Sequence, residues 1–119
     1  VEKLKEIAVK EDIPFASVSG IGAVGSAVTG YFDTAERCFK SSELTGDLEI
    51  VSLCGIINKM NGEAYLHLHM SIADESGRVY GGHLSKAVIS GTGEIVLHCI
   101  DAETDRCFDE ETGLNIIKF

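Results

Sequence analysis

The sequence lacks tryptophan, has a single proline and contains no apolar run near the roughly 20 residues that cross a bilayer. It also lacks the basic start and apolar stretch of a secretory signal, so we expect a cytoplasmic protein. Its cysteines form no CxxC pair, which argues against a zinc ribbon or a thioredoxin-like site. We expect all four to be reduced, with Cys54 and Cys99 as small core residues in apolar strands.

Positive charge is scarce as well. Ten basic residues face nineteen acidic ones, which gives a net charge of −9. Proteins that bind nucleic-acid phosphates usually present a basic surface, because counterion release drives that binding. The charge therefore disfavours direct DNA binding by this chain.

The length of 119 residues and the apolar fraction of 45% are typical of one globular domain spanning residues 1–119. Residues 2–10 have the spacing of a short amphipathic helix that ends before Pro14. The rest reads as regular short strands between turn signals, including LEIVSLCGII at 48–57, which we expect to be buried on both faces. These features predict an α+β fold with a mainly antiparallel sheet and one or two helices.

Gly20, Gly22 and Gly25 match the pattern GxGxxG after a strand-like segment. A dinucleotide site would need a helix to begin there, so that its N-terminus meets the pyrophosphate. The following SAVTGYFD favours a strand instead. We expect the glycines to form bulges and close backbone contacts.

Histidines alternate with apolar residues in EAYLHLHMSIA (63–73). A strand with this pattern turns its leucines and Met70 to one side, and His67 and His69 to the other. The segment 75–77, ESG, suits a three-residue hairpin loop with glycine in the left-handed region. That register pairs His69 with His83 and Leu68 with Leu84, and it brings the three histidines onto one face.

Three neutral imidazoles are good metal ligands and leave a fourth position open. We therefore predict a site for a divalent metal at His67, His69 and His83, with zinc as the first choice and nickel, copper and iron as alternatives. The opposing interpretation is a polar patch on a solvated or interface face, without metal. His98 is a candidate fourth ligand, although a core position is favoured, and the glycines beside His83 are expected to open space for a ligand or a second subunit.

In order along the chain, GIGAVGSAVTGYFD, GDLEIVSLCGII and YLHLHMSIADESGRVYGGHL resemble the PPC domain, the plants and prokaryotes conserved domain. The resemblance runs from about Ile7 to the C-terminus. It implies a compact α+β fold assembled as a homotrimer, with a metal site at the three histidines, and it brings the label of predicted DNA-binding protein.

Two departures from the family pattern bear on this resemblance. The family's first strand, which precedes the helix, is apparently missing. No basic AT-hook accompanies the domain, and three chains of −9 would carry −27. In plant members the AT-hook contacts DNA, which leaves the PPC domain for assembly and partner recruitment.

Three functions remain open at this point. The first is a trimeric metal-binding module with a regulatory or DNA-related role, which leaves room for a small-molecule ligand. The second is a metal-dependent enzyme that activates water at the open zinc position, with Glu49 or Glu63 as candidate bases. The third is a purely structural assembly domain whose histidines line a subunit interface.

Overall fold

The computed structural model describes residues 1–118. One helix is followed by six strands, and the whole is mainly antiparallel, as the sequence predicts. The elements are α1 (Glu2–Lys10), β1 (Ala16–Asp33), β2 (Cys38–Met60), β3 (Glu63–Ala73), β4 (Val79–Cys99), β5 (Asp105–Asp109) and β6 (Leu114–Lys118).

Helix α1 covers the residues predicted from its spacing. Leu4 and Ala8, one turn apart, are its buried residues and join the core. The helix ends at Lys10, and the chain then turns away: Asp12 takes a positive φ of 45°, and the Ile13 amide donates to the Ala8 carbonyl. Among the described residues no helix is long and apolar enough to cross a membrane.

Strands β1 to β4 form a closed barrel in which every neighbouring pair is antiparallel. β1 pairs with β2 and β4, and β3 closes the ring between them. Side chains that alternate along these strands fill the interior, where burial removes apolar surface from water. The largest fully buried apolar side chains are Val24, Ile57, Leu68 and Ile72.

The expectation of regular short strands is wrong. β1, β2 and β4 are 18, 23 and 21 residues long, because the chain turns the corners of the barrel at bulges and continues. The register of β1 shifts between Gly20 and Gly22 and again between Val24 and Ser26, which confirms the interpretation of GxGxxG as bulges. A Cβ on Gly22 would lie 2.1 Å from the Thr92 carbonyl oxygen, so the close approach of β4 requires glycine there.

The burial predicted for 48–57 is also wrong. Leu48, Ile50 and Leu53 point inward, whereas Val51 and Cys54 are exposed. A barrel wall has one inner face, so a continuous apolar run in β2 must leave half of its side chains outside.

The same geometry overturns three further placements. Cys54 and Cys99 are exposed and not core residues, and His98 is exposed as well. All four cysteines are free thiols. His98 pairs with Ser17, an exposed residue on the outer side of β1.

Candidate metal centre

Strand β3 sets the direction of the first two histidines. Ala64, Leu68, Met70 and Ile72 are buried in the barrel and Leu66 packs against the same core, whereas the odd-numbered residues between them face outward. His67 is half-buried and His69 is exposed on this outer face. Their side chains project on the same side because residues two apart in a strand share a face.

The β3–β4 turn places the third histidine. Gly77 has a φ of +77°, and the Asp74 carboxylate accepts hydrogen bonds from the Ser76 amide, the Ser76 hydroxyl and the Arg78 amide. This three-residue loop is the predicted one, and it produces the predicted pairing of His69 with His83. The predicted pairing of Leu68 with Leu84 is wrong: the β3–β4 pairs run from Ala73–Val79 to His69–His83, after which β4 leaves β3 and Leu84 pairs with Thr29 of β1.

The three imidazoles converge, as the hairpin register predicts. One potential ligand atom from each lies within 4.8 Å of the other two. The ring centroids are 5.3 Å apart for His67 and His69, 5.2 Å for His67 and His83, and 5.6 Å for His69 and His83. In a tetrahedral site with zinc–nitrogen bonds of about 2.1 Å, two ligand nitrogens lie about 3.4 Å apart. The three nitrogens therefore have to approach one another by up to about 1.4 Å to share one ion, through ring rotations together with small shifts of the strands.

The surroundings favour the neutral form of the ligands. Burial lowers the pKa of His67, and the nearby His83, Arg106 and His69 lower it further. Burial also lowers the pKa of His83, with an added contribution from His69. A neutral imidazole keeps the lone pair that a metal needs, so these shifts suit coordination.

Two neighbours of His83 shape the edge of the site. The Phe39 ring packs edge-on against the imidazole, with centroids 5.4 Å apart. Gly81 and Gly82, next to His83 in sequence, line an open cleft of about 570 Å³ whose lining includes none of the three histidines. Their main role differs from the predicted one, because a Cβ would meet the Met70 carbonyl oxygen at 2.3 Å for Gly81 and the Gly30 carbonyl oxygen at 2.4 Å for Gly82. The glycines let neighbouring strands approach, and the cleft accompanies that packing.

The candidate bases lie away from the histidines. Glu63 is four residues before His67 on β3, and Glu49 pairs with Ala73, four residues beyond His69. Four residues of strand span roughly 13 Å. Within residues 1–118, the group of converging ligand atoms comprises His67, His69 and His83, and neither these glutamates nor His98 belong to it.

A buried polar cluster beside the site escaped the sequence analysis. Arg106 on β5 is only 5% exposed, and its guanidinium carbon lies 4.6 Å from the centre of the Tyr65 ring. Its Nε donates to Asn58 Oδ1 at 2.8 Å, and its Nη1 donates to the Asn115 carbonyl at 2.9 Å. The sequence offers only a lone arginine within an acidic segment, which gives no sign of burial.

Comparisons with known proteins agree with this fold. The model of the Plants and Prokaryotes Conserved (PCC) domain matches residues 1–101. The chain belongs to this family. It is the PPC domain that the sequence resembles, and the assignment covers both the histidine hairpin and the barrel.

Solved structures of similar proteins share the PPC architecture. A proposed DNA-binding protein from Bacteroides thetaiotaomicron is 30% identical, with a TM-score of 0.96 over 99% of this chain and 82% of that one. A metal-containing protein from Archaeoglobus fulgidus is 36% identical, with a TM-score of 0.88 over 98% and 82%. A plant- and prokaryote-conserved protein from Pyrococcus horikoshii is 30% identical, with a TM-score of 0.91 over 99% and 82%. No curated protein sequence matches the chain significantly.

Proposed function

We propose that this PPC domain is a metal-binding module that holds one divalent ion through His67, His69 and His83. Zinc is the first choice for this ion. The observation that carries the proposal is the convergence of one potential ligand atom from each histidine within 4.8 Å. A rigid barrel strand and a well-bonded turn fix this arrangement, so little ordering is needed when the ion binds. The metal-containing homologue from Archaeoglobus fulgidus supports the same interpretation.

A three-histidine set suits a binding role with an open coordination position. Structural zinc sites use four protein ligands, whereas catalytic zinc sites use three and leave the fourth position to water or substrate. Nitrogen donors alone also accept nickel, copper or iron, so the metal found in the cell depends on supply as well as affinity.

Assembly as a homotrimer is the second part of the proposal. The family resemblance implies it, and the outer barrel face has apolar side chains for an interface. Ile21, Val51 and Val96 are 56%, 53% and 63% exposed. Ser19 pairs with both Cys54 and Val96, and this places exposed residues of three neighbouring strands side by side. Exposed apolar groups that cluster in this way commonly mark contact surfaces.

A regulatory role fits the charge better than direct DNA binding. The similar proteins from Bacteroides and Ralstonia eutropha carry proposed DNA-binding names. This chain carries −9, and three copies would carry −27, so phosphate backbones are repelled at long range. We propose that any DNA-related function proceeds through a partner and not through this surface.

The enzyme and assembly-only alternatives have less support. Water activation at a zinc ion also requires a group that accepts or donates a proton, and both candidate glutamates are four strand residues away. A purely structural interface offers no reason for three imidazoles to converge on one point.

Metal analysis of protein purified without a histidine tag tests the proposal. Wild type should retain about one metal ion per chain, and the triple variant H67A/H69A/H83A should retain none. His98→Ala is the matched control, because His98 is an exposed histidine outside the cluster. Equal metal content in wild type and the triple variant would refute the site.

A further inference from the structure

Arg106 is a buried positive charge without an anionic partner in the described part of the chain, and it lies next to the candidate metal centre. Burying a guanidinium costs free energy unless a carboxylate or another anion pairs with it. None of the ion pairs within residues 1–118 includes Arg106. The neighbouring Asp105 carboxylate accepts a hydrogen bond from the Arg106 backbone amide and forms no ion pair with the Arg106 guanidinium.

Two enclosed donors belong to this cluster, and the Thr104 hydroxyl, two residues before Arg106, is a further enclosed group without a partner among the described residues. Arg106 Nη2 and Asn58 Nδ2 are shielded from solvent and have no hydrogen-bond partner in the described chain. Asn58 is fully buried, and its oxygen already accepts from Arg106. Unpaired buried donors of this kind destabilise the fold, so an acceptor, either a water molecule or an anion, is expected beside them.

The cluster lies on the histidine face of the barrel. Asn58 pairs with Tyr65, and the next pair with the same orientation is Ile56 with His67. Residues two apart in a strand share a face and are roughly 7 Å apart. The guanidinium over the Tyr65 ring therefore lies on the same face as His67, beside the strand pair next to it.

The charges around the centre point to one class of ligand. Three neutral histidines would leave a divalent ion with its full charge, and Arg106 adds another positive charge nearby. The converging group contains no carboxylate. Although the chain carries a net charge of −9, none of the carboxylates of residues 1–118 belongs to this group of ligands.

We infer that the ligand of the metal centre is a small oxyanion, a carboxylate or a phosphate, and that Arg106 and Asn58 are the groups that select its charge. This inference rests on the proposed metal centre. Both oxyanions present several acceptor oxygens, so one oxygen can take the open metal position while the anion as a whole is attracted by the Arg106 charge. Neutral ligands of the same shape gain nothing from the guanidinium.

Cobalt-loaded protein tests this inference, because Co²⁺ takes zinc sites and its visible absorption responds to a change in ligands. Acetate and inorganic phosphate are titrated separately at constant ionic strength, with acetamide as the neutral isostere of acetate. Wild type should bind at least one of the two anions and should not bind acetamide. The anion with the higher affinity shows whether the ligand class is a carboxylate or a phosphate. Arg106→Gln should weaken that binding by about tenfold to hundredfold. Arg78→Gln, at an exposed arginine in the β3–β4 turn, makes the same change in net charge and should leave it unaltered.

Asn58→Asp keeps the test decisive if Arg106→Gln does not fold. The new carboxylate would pair with Arg106 inside the protein, so it should preserve folding and cobalt uptake while weakening anion binding by at least tenfold. Equal anion affinity in wild type, Arg106→Gln and Asn58→Asp would overturn the inference, as would equal binding of acetate and acetamide. Cobalt uptake without anion binding would reject the oxyanion alone. Failure of wild type to take up cobalt would reject the metal centre and the oxyanion together.

Discussion

Gly55 links the packing of the barrel to the geometry of the histidines. It lies on β2 opposite Leu68, between the pairs Cys54–His69 and Ile56–His67. A Cβ at this position would lie 2.1 Å from the His67 carbonyl oxygen and 2.8 Å from the Leu68 Cα. Both atoms belong to the backbone, so no side-chain rotation can relieve the contact.

The substitution Gly55→Ala should therefore move β3. Real Cβ atoms essentially never approach closer than 3.0 Å, so the contact must open by about 0.9 Å from its 2.1 Å. Overpacking of this kind costs about 1–3 kcal/mol of folding free energy. Metal sites tolerate about 0.2 Å in ligand distances, and a disturbed support commonly costs tenfold to hundredfold in metal affinity. We expect Gly55→Ala to lose both stability and zinc affinity by about these amounts.

Urea unfolding of the metal-free protein measures the first effect, and competition with a chromophoric zinc chelator measures the second. Gly25→Ala is the matched control, because the nearest atom to its added Cβ is the Ser90 Cβ at an ordinary 3.6 Å. The reasoning is refuted if Gly55→Ala and Gly25→Ala have the same unfolding free energy and the same zinc affinity as wild type.

Three further predictions concern the turn, DNA and assembly. Hydrogen bonds from the Ser76 hydroxyl and from the Arg78 and Ser76 amides lower the pKa of Asp74 below its ordinary 3.8. The ionised Asp74 therefore contributes its full stabilisation above pH 3.8, and this contribution is lost as the pH falls through the lowered pKa. Asp74→Asn should remove that part of the pH dependence, and an unchanged slope of the urea midpoint below pH 3.8 would contradict it. In electrophoretic shift at physiological ionic strength, the protein should form no salt-sensitive complex with duplex DNA, and such a complex would refute the charge argument. Sedimentation equilibrium should give about 38 kDa, three times the chain mass of 12.8 kDa, whereas a monomer at all concentrations would exclude the trimer.

Local signals were sufficient to predict the histidine hairpin. Period-two alternation fixed the faces of β3, and the loop 75–77 fixed the register because Gly77 adopts the left-handed conformation expected there. The helix at 2–10 is likewise set by a few adjacent residues.

Closure of the barrel could not be predicted in the same way. It depends on β1 pairing with residues some 70 positions away in β4, and no local pattern specifies such a contact. Cys54, Cys99 and His98 were misplaced for this reason, since apolar neighbours in sequence do not reveal which face of the wall is inside. Arg106 was missed because its burial depends on Asn58, 48 residues earlier in the chain.

Zinc X-ray absorption spectroscopy of the zinc-loaded protein tests directly whether the three histidines hold the metal. We expect three imidazole nitrogens and one further light donor at about 2.0–2.1 Å, with the imidazole signal lost in H67A/H69A/H83A and unchanged in His98→Ala. A sulfur shell at about 2.3 Å would instead assign the metal to a cysteine such as Cys54, and would contradict the three-histidine centre.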